Sequence, residues 1–154
     1  MGRRYTGAAF AAPVERARAA IPGLAITADV IAGLPGESDA EFAESLEFAR
    51  AMRFARIHVF QYSPRLGTRA AIMPGQVSPA RKQARSQALM ALSEEGAAGF
   101  ARSFLGRELD VLWEERVGGA RGTEEWEGLT GNYIRVRAPA RSGENLLNRI
   151  TPVR

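Results

Sequence analysis

The stretch VIAGLPGESDAEF, from Val30 to Phe42, constrains the fold more than any other segment. A near-continuous apolar run from Leu24 to Leu34, with Ile26, Val30 and Ile31, predicts a strand buried on both faces, and hence a parallel sheet. It breaks at Gly33, Pro35 and Gly36, and a helix start follows at once. Ser38 is a good N-cap, and Glu41 three residues later completes a capping box worth about 1 kcal/mol. Asp39 and Glu41 complement the helix dipole in the first turn. Phe42, Leu46 and Ala49 form an inward stripe, while Glu44 and Glu47 face out. The helix is expected to end near Met52, and a second strand, RIHVFQYS, to run from Arg56 to Ser63. Strand, helix and strand make a βαβ unit with a right-handed crossover. Two parallel strands leave unpaired edges and uncovered faces. The unit is therefore expected either to dimerise or to belong to a barrel whose other strands lie elsewhere.

The flanking segments are simpler. A first helix is expected from Thr6 to Ala20, closed by Ile21-Pro22-Gly23. PRLGTRAAIMPGQVSPARKQ, from Pro64 to Gln83, reads as a loop. A long helix follows from about Ala80 to Leu105, weakened by Gly96 and Gly99 and stopped by Gly106. After it the pattern alternates. ELDVLWEE (Glu108–Glu115) reads as a strand, GGARG as a turn, EWEGLTGNYIRVRA as one or two strands, and LLNRITPVR as a last one. Short strands at this spacing predict a small all-β barrel. The chain is thus divided into residues 1–103, an α/β part with parallel strands, and 104–154, a small all-β barrel. There are no internal repeats and no low-complexity tracts.

With 45% apolar residues in 154, disorder is not the default. The chain has no cysteine, which excludes disulfides, Cys-ligated zinc and a Cys nucleophile, and suits the cytoplasm. No segment approaches the roughly 20 apolar residues that span a bilayer, and the start lacks the apolar core of a signal peptide. The net charge of +4 rests on arginine, with Lys82 the only lysine. Arginine suits phosphates, but high-GC coding also favours it, so only position carries weight. From Phe104 to Glu127 three arginines meet seven acids, and from Gly128 to Arg154 five arginines meet one, so the β part is neutral but polarised. One basic side fits phosphate binding.

Four motifs bear on chemistry. Gly33 to Glu37 matches neither the dinucleotide fingerprint nor the phosphate-binding loop. It is either a ligand site at the carboxyl end of a parallel strand or an ordinary turn. His58 shares a strand face with Phe60 and Tyr62. It lacks an acid–base partner and is read as a satisfied core histidine, and alone it holds no metal. YSPRLGT (Tyr62–Thr68) is either a substrate-binding loop or a capped turn. In GNYIRVR, Tyr133, Arg135 and Arg137 share one parity and are expected on one strand face. They suit either base stacking beside phosphate contacts or plain solvation.

Taken together, ITADVIAGLPGESDAEF, HVFQYSPRLGTRAAIMPGQV and GLTGNYIRVR resemble the carboxyl half of the radical S-adenosylmethionine methylthiotransferases. HVFQYS and TGNYIRV favour the type acting on threonylcarbamoyladenosine in tRNA. The resemblance covers nearly the whole chain in order. It implies that residues 1–103 are a partial (β/α) barrel with parallel strands, the last strands and helices of a radical S-adenosylmethionine barrel, and that 104–154 are a small OB-like TRAM barrel that binds RNA. It places S-adenosylmethionine beside Gly33, Pro35, Gly36 and Glu37 and beside Phe60, Gln61, Tyr62 and Ser63. Tyr62, Ser63, Arg65, Gly67 and Thr68 match the signature loop near the reacting substrate. Asn132, Tyr133, Arg135, Arg137 and Arg149 fall where RNA is bound. The family's two 4Fe–4S clusters need cysteines that this chain lacks, so no catalytic residue is assigned to it. A tRNA substrate and a missing amino-terminal half or companion chain are the implied partners. The competing expectation is a stand-alone RNA-binding module whose barrel remnant packs on a partner.

Overall fold

The computed structural model describes residues 5–118, 123–141 and 143–154. Most of the GGARG turn therefore lies outside the described residues. The chain forms two compact units, Met1–Phe100 and Ala101–Arg154.

In the first unit, helix α1 spans Gly7–Ala20, and the Thr6 side chain caps it by accepting the Ala9 N–H. Strand β1 (Thr27–Ala32) and strand β2 (Arg56–Gln61) pair in parallel around helix α2 (Asp39–Ala51). The capping box at Ser38 forms as expected, with both of its reciprocal hydrogen bonds. A short helix α3 (Arg69–Ile72), unanticipated in the sequence, interrupts the loop before helix α4 (Pro79–Arg102).

The core gathers Ala49, Met52, Phe54, Ile57 and Leu92, with Phe10, Val14, Ile26, Val30 and Leu46 packed around them. Gly96 is a packing requirement rather than a weak point, because a Cβ there would lie 2.4 Å from the Phe54 carbonyl oxygen. On the same face of α4, the Ser93 hydroxyl accepts the Ile57 N–H and donates to the Ile57 carbonyl.

The expectation that β1 is buried on both faces is wrong. Ala28 and Val30 turn toward the helices, whereas Thr27 and Asp29 are exposed. In β2, Arg56, His58 and Phe60 are likewise exposed. Among the described residues, helices cover one face of this two-stranded sheet and leave the other free. His58 is thus a surface residue of that free face, opposite Asp29 in register, and not a core histidine.

In the second unit, strands β3 (Leu109–Gly118), β4 (Glu124–Thr130), β5 (Arg135–Pro139) and β6 (Ile150–Val153) form an antiparallel sheet ordered β5-β4-β3-β6. Among the described residues β5 and β6 are its edges, and the sheet curls into a half-barrel, consistent with the expected barrel-like unit. Val111, Trp113 and Trp126 form the core with Val136, Ala138, Leu146 and Val153. The Trp113 indole donates to the Thr151 hydroxyl at 2.8 Å. A bulge between Trp113 and Glu115 adds twist to β3. Gly128 lets β4 approach β3, since a Cβ there would lie 2.4 Å from the Leu112 oxygen.

Candidate cofactor wall and nucleic-acid face

The carboxyl ends of β1 and β2 meet where the Tyr62 N–H donates to the Ala32 carbonyl at 2.9 Å. This sets residues 60–63 beside residues 33–37. Gly33 and Gly36 both adopt left-handed backbone, with φ 78° and 81°. Between them the chain doubles back, and one oxygen of Glu37 accepts the Gly33 N–H at 3.0 Å. The same oxygen receives Arg85 Nη1 at 2.6 Å, while Arg85 Nη2 reaches Asp39 Oδ1 at 2.7 Å. Arg85 is only 4% exposed. Burial alone would lower the affinity of its guanidinium for its proton. The bonds to Asp39 and Glu37 outweigh this and raise it. The Arg85 bond, helped by the charge of Arg81, holds the Asp39 carboxyl below its ordinary range. The loop after α3 is tied in too, with the Gly36 N–H donating to the Gly75 carbonyl at 2.9 Å.

What approaches Gly33 is a side chain of this protein. A Cβ on Gly33 would lie 2.6 Å from Lys82 Cγ. The Lys82 stem runs across the glycine, and its Nζ donates to the Tyr62 carbonyl at 3.0 Å, 4.9 Å from the centre of the Tyr62 ring. Phe60 is 53% exposed on the free face. The Gln61 amide donates to Gln83, and Ser63 is exposed. Arg65, Gly67 and Thr68 form one turn, in which the Thr68 hydroxyl and N–H both donate to the Arg65 carbonyl. This turn exposes Arg65 and Leu66.

On the second unit, Glu127 lies opposite Arg137 and diagonal to Arg135 on one sheet face. Arg137 donates to one carboxylate oxygen at 2.7 Å and Arg135 to the other, burying Glu127 while both arginines stay half exposed. The Arg137 bond, with that from Arg135, holds the Glu127 carboxyl below its ordinary range. Tyr133 is not on the strand with them. It sits in the turn from Thr130 to Ile134 with φ 64° and is 82% exposed. The Thr130 hydroxyl, which accepts the Ile134 N–H, donates to Asn132 in the same turn. Arg149 is exposed at the start of β6, and its carbonyl accepts the Trp113 N–H.

Sequence reasoning missed Lys82, Arg85 and Glu127. The available signal was the single lysine of an arginine-rich chain, one helical turn before Arg85. Among the described residues, no cluster of three or more His, Asp or Glu is arranged for a metal ion. No helix among them is long and apolar enough to cross a membrane.

The fold and these two faces define a class: a parallel α/β unit with a glycine-bearing loop at the carboxyl ends of its strands, and a small β unit with an arginine-bearing face. The comparisons name the family. No family model matches the chain. It is 36% identical over its full length to the threonylcarbamoyladenosine tRNA methylthiotransferase MtaB of Bacillus subtilis, covering 34% of that protein. It is 43% identical over 90% of its length to the tRNA-2-methylthio-N(6)-dimethylallyladenosine synthase of Frankia casuarinae, covering 26%. It is 41% identical over 90% of its length to the ribosomal protein uS12 methylthiotransferase RimO of Opitutus terrae, covering 30%. The chain belongs to the radical S-adenosylmethionine methylthiotransferase family and spans about a third or less of the length of these relatives.

Proposed function

We propose that this chain supplies one wall of the S-adenosylmethionine site and the RNA-binding unit of a tRNA methylthiotransferase acting on threonylcarbamoyladenosine beside the anticodon. The observation that carries the reading is the juxtaposition of residues 33–37 and 60–63 at one sheet end, in a chain that matches the family throughout. S-adenosylmethionine would supply the radical and methyl chemistry. Phe60 offers an exposed ring, and the Tyr62 hydroxyl is buried without a hydrogen-bond partner among the described residues, a polar group that a ligand would satisfy. Gly33 and Glu37 act at one remove, since Lys82 and Arg85 already engage them. Arg65, on its tight turn, is the substrate-facing cation. The residues do not fit an iron–sulfur cluster, because there is no cysteine to ligate iron. Cluster chemistry therefore belongs to residues outside this chain.

In the β unit, Tyr133 offers a stacking surface, and Arg135, Arg137 and Arg149 offer phosphate contacts. Because Glu127 neutralises part of the Arg135–Arg137 pair, affinity is expected to be moderate and strongly salt-dependent. Two measurements test the proposal. Supplied with iron, sulfide, reductant and S-adenosylmethionine, the chain alone should release no 5′-deoxyadenosine. Its binding to a tRNA anticodon stem-loop should fall with salt and weaken in Tyr133→Ala. Turnover by the chain alone, or stem-loop binding indifferent to both salt and Tyr133, overturns the reading.

A further inference from the structure

Lys82 stands out among the half-buried and buried cations of the first unit. Arg85, one turn further along α4, has two carboxylates, Glu37 and Asp39. Lys82 has none: among the described residues its ammonium meets only the Tyr62 carbonyl and the Tyr62 ring. An ammonium carries three donors, so two remain. A half-buried charge without a counter-ion is costly unless something else neutralises it. Among the described residues, the neighbouring Tyr62 hydroxyl is buried with no hydrogen-bond partner. The lysine is also held in place, because Gly33 has no Cβ and leaves room for its stem. A left-handed glycine, a guided lysine stem that ends in an ammonium without a carboxylate partner, and an unsatisfied buried hydroxyl converge at the carboxyl ends of two parallel strands.

We propose that Lys82 is an anion-receiving residue, poised for a carboxylate or phosphate on a small ligand seated at this sheet end. The specific form rests on the cofactor-wall reading: the anion is the amino-acid carboxylate of an adenosyl ligand. One charge-assisted hydrogen bond in such a place corresponds to about tenfold or more in affinity.

The test uses the full chain and exploits its single lysine, which makes a 13Cε-lysine label one resolved signal. The probes are S-adenosylhomocysteine, 5′-methylthioadenosine (the nucleoside thioether without the amino acid) and inorganic phosphate. The expected result has three parts. The Lys82 signal moves with S-adenosylhomocysteine and phosphate but not with 5′-methylthioadenosine, S-adenosylhomocysteine binds about tenfold tighter than 5′-methylthioadenosine, and Lys82→Met abolishes that difference. If both nucleosides shift the amides of residues 33–37 and 60–63 equally while the Lys82 signal stays still, the lysine assignment is overturned and the cofactor wall stands. If phosphate moves the Lys82 signal and neither nucleoside binds, the anion site stands and the wall reading fails. No response to any probe overturns both.

Discussion

Lys82 fills the space that Gly33 leaves open, with Cγ 2.6 Å from where a Cβ would sit. Gly36 has nearly the same left-handed φ but nothing within 4 Å of its Cβ position. The two glycines therefore separate backbone strain from side-chain collision. Gly36→Ala should cost only the left-handed penalty, about 1–2 kcal/mol. Gly33→Ala should cost measurably more, and the excess should vanish in a Lys82→Ala background. Denaturant unfolding of wild type, Gly33→Ala, Lys82→Ala and the double variant, read as a double-mutant cycle with Gly36→Ala measured alongside, checks this. Equal costs at both glycines would contradict it.

Arg85 joins α4 to the loop after β1 through Glu37 and to the first residue of α2 through Asp39. Removing it leaves the poorly exposed Glu37 carboxylate without its charge partner. Arg85→Ala is expected to lose about 3 kcal/mol. Asp39→Asn should lose no more than about 1 kcal/mol, because Asp39 is well exposed. Arg85→Lys should recover only part, since an ammonium does not span both carboxylates as the planar fork does. Unfolding midpoints give the order.

Gly96 and Gly99 lie on the same helix and make opposite predictions. Helix propensity alone favours alanine over glycine by about 1 kcal/mol at each. At Gly99 nothing is within 4 Å, and alanine should stabilise by up to that amount. At Gly96 the Phe54 carbonyl blocks a Cβ, and alanine should destabilise despite the propensity gain. Thermal unfolding of the two variants is expected to move in opposite directions.

Glu127 gives the β unit a pH dependence of defined sign. Its carboxyl is held below the ordinary glutamate range by Arg137 and Arg135. A depressed carboxyl contributes stability that is present above its unfolded value, and that contribution disappears as pH falls through the folded value. Wild type should therefore exceed Glu127→Gln in stability at neutral pH, and the gap should close on acidification below the ordinary glutamate range. At neutral pH the same variant frees two arginines and should bind the stem-loop more tightly, with a steeper salt dependence. A gap that widens in acid would refute the assignment.

Local signals in the sequence were sufficient where the interactions are local. Ser38 and Glu41 are three residues apart, so their capping box was legible, and so was the order strand, helix, strand. Alternation after Leu105 announced the β unit. The burial of β1 was misjudged because Asp29 and Thr27 were outweighed by their apolar neighbours, and the free face only shows once β2 is paired with it. Lys82 reaches Tyr62 across 20 positions, and Arg85 reaches Asp39 and Glu37 across 46 and 48, through packing that no window of sequence displays. The parity that linked Tyr133 to Arg135 and Arg137 failed because a turn, and not a strand, holds the tyrosine.

Tyr133 is the most exposed aromatic among the described residues, and it holds a left-handed backbone that glycine or asparagine would adopt at less cost. Such a turn, judged by its fold alone, would not choose tyrosine. Folding and use therefore pull apart at one position. Tyr133→Gly should give a β unit more resistant to unfolding yet stripped of its protruding ring, so that the sturdier protein would be the poorer binder.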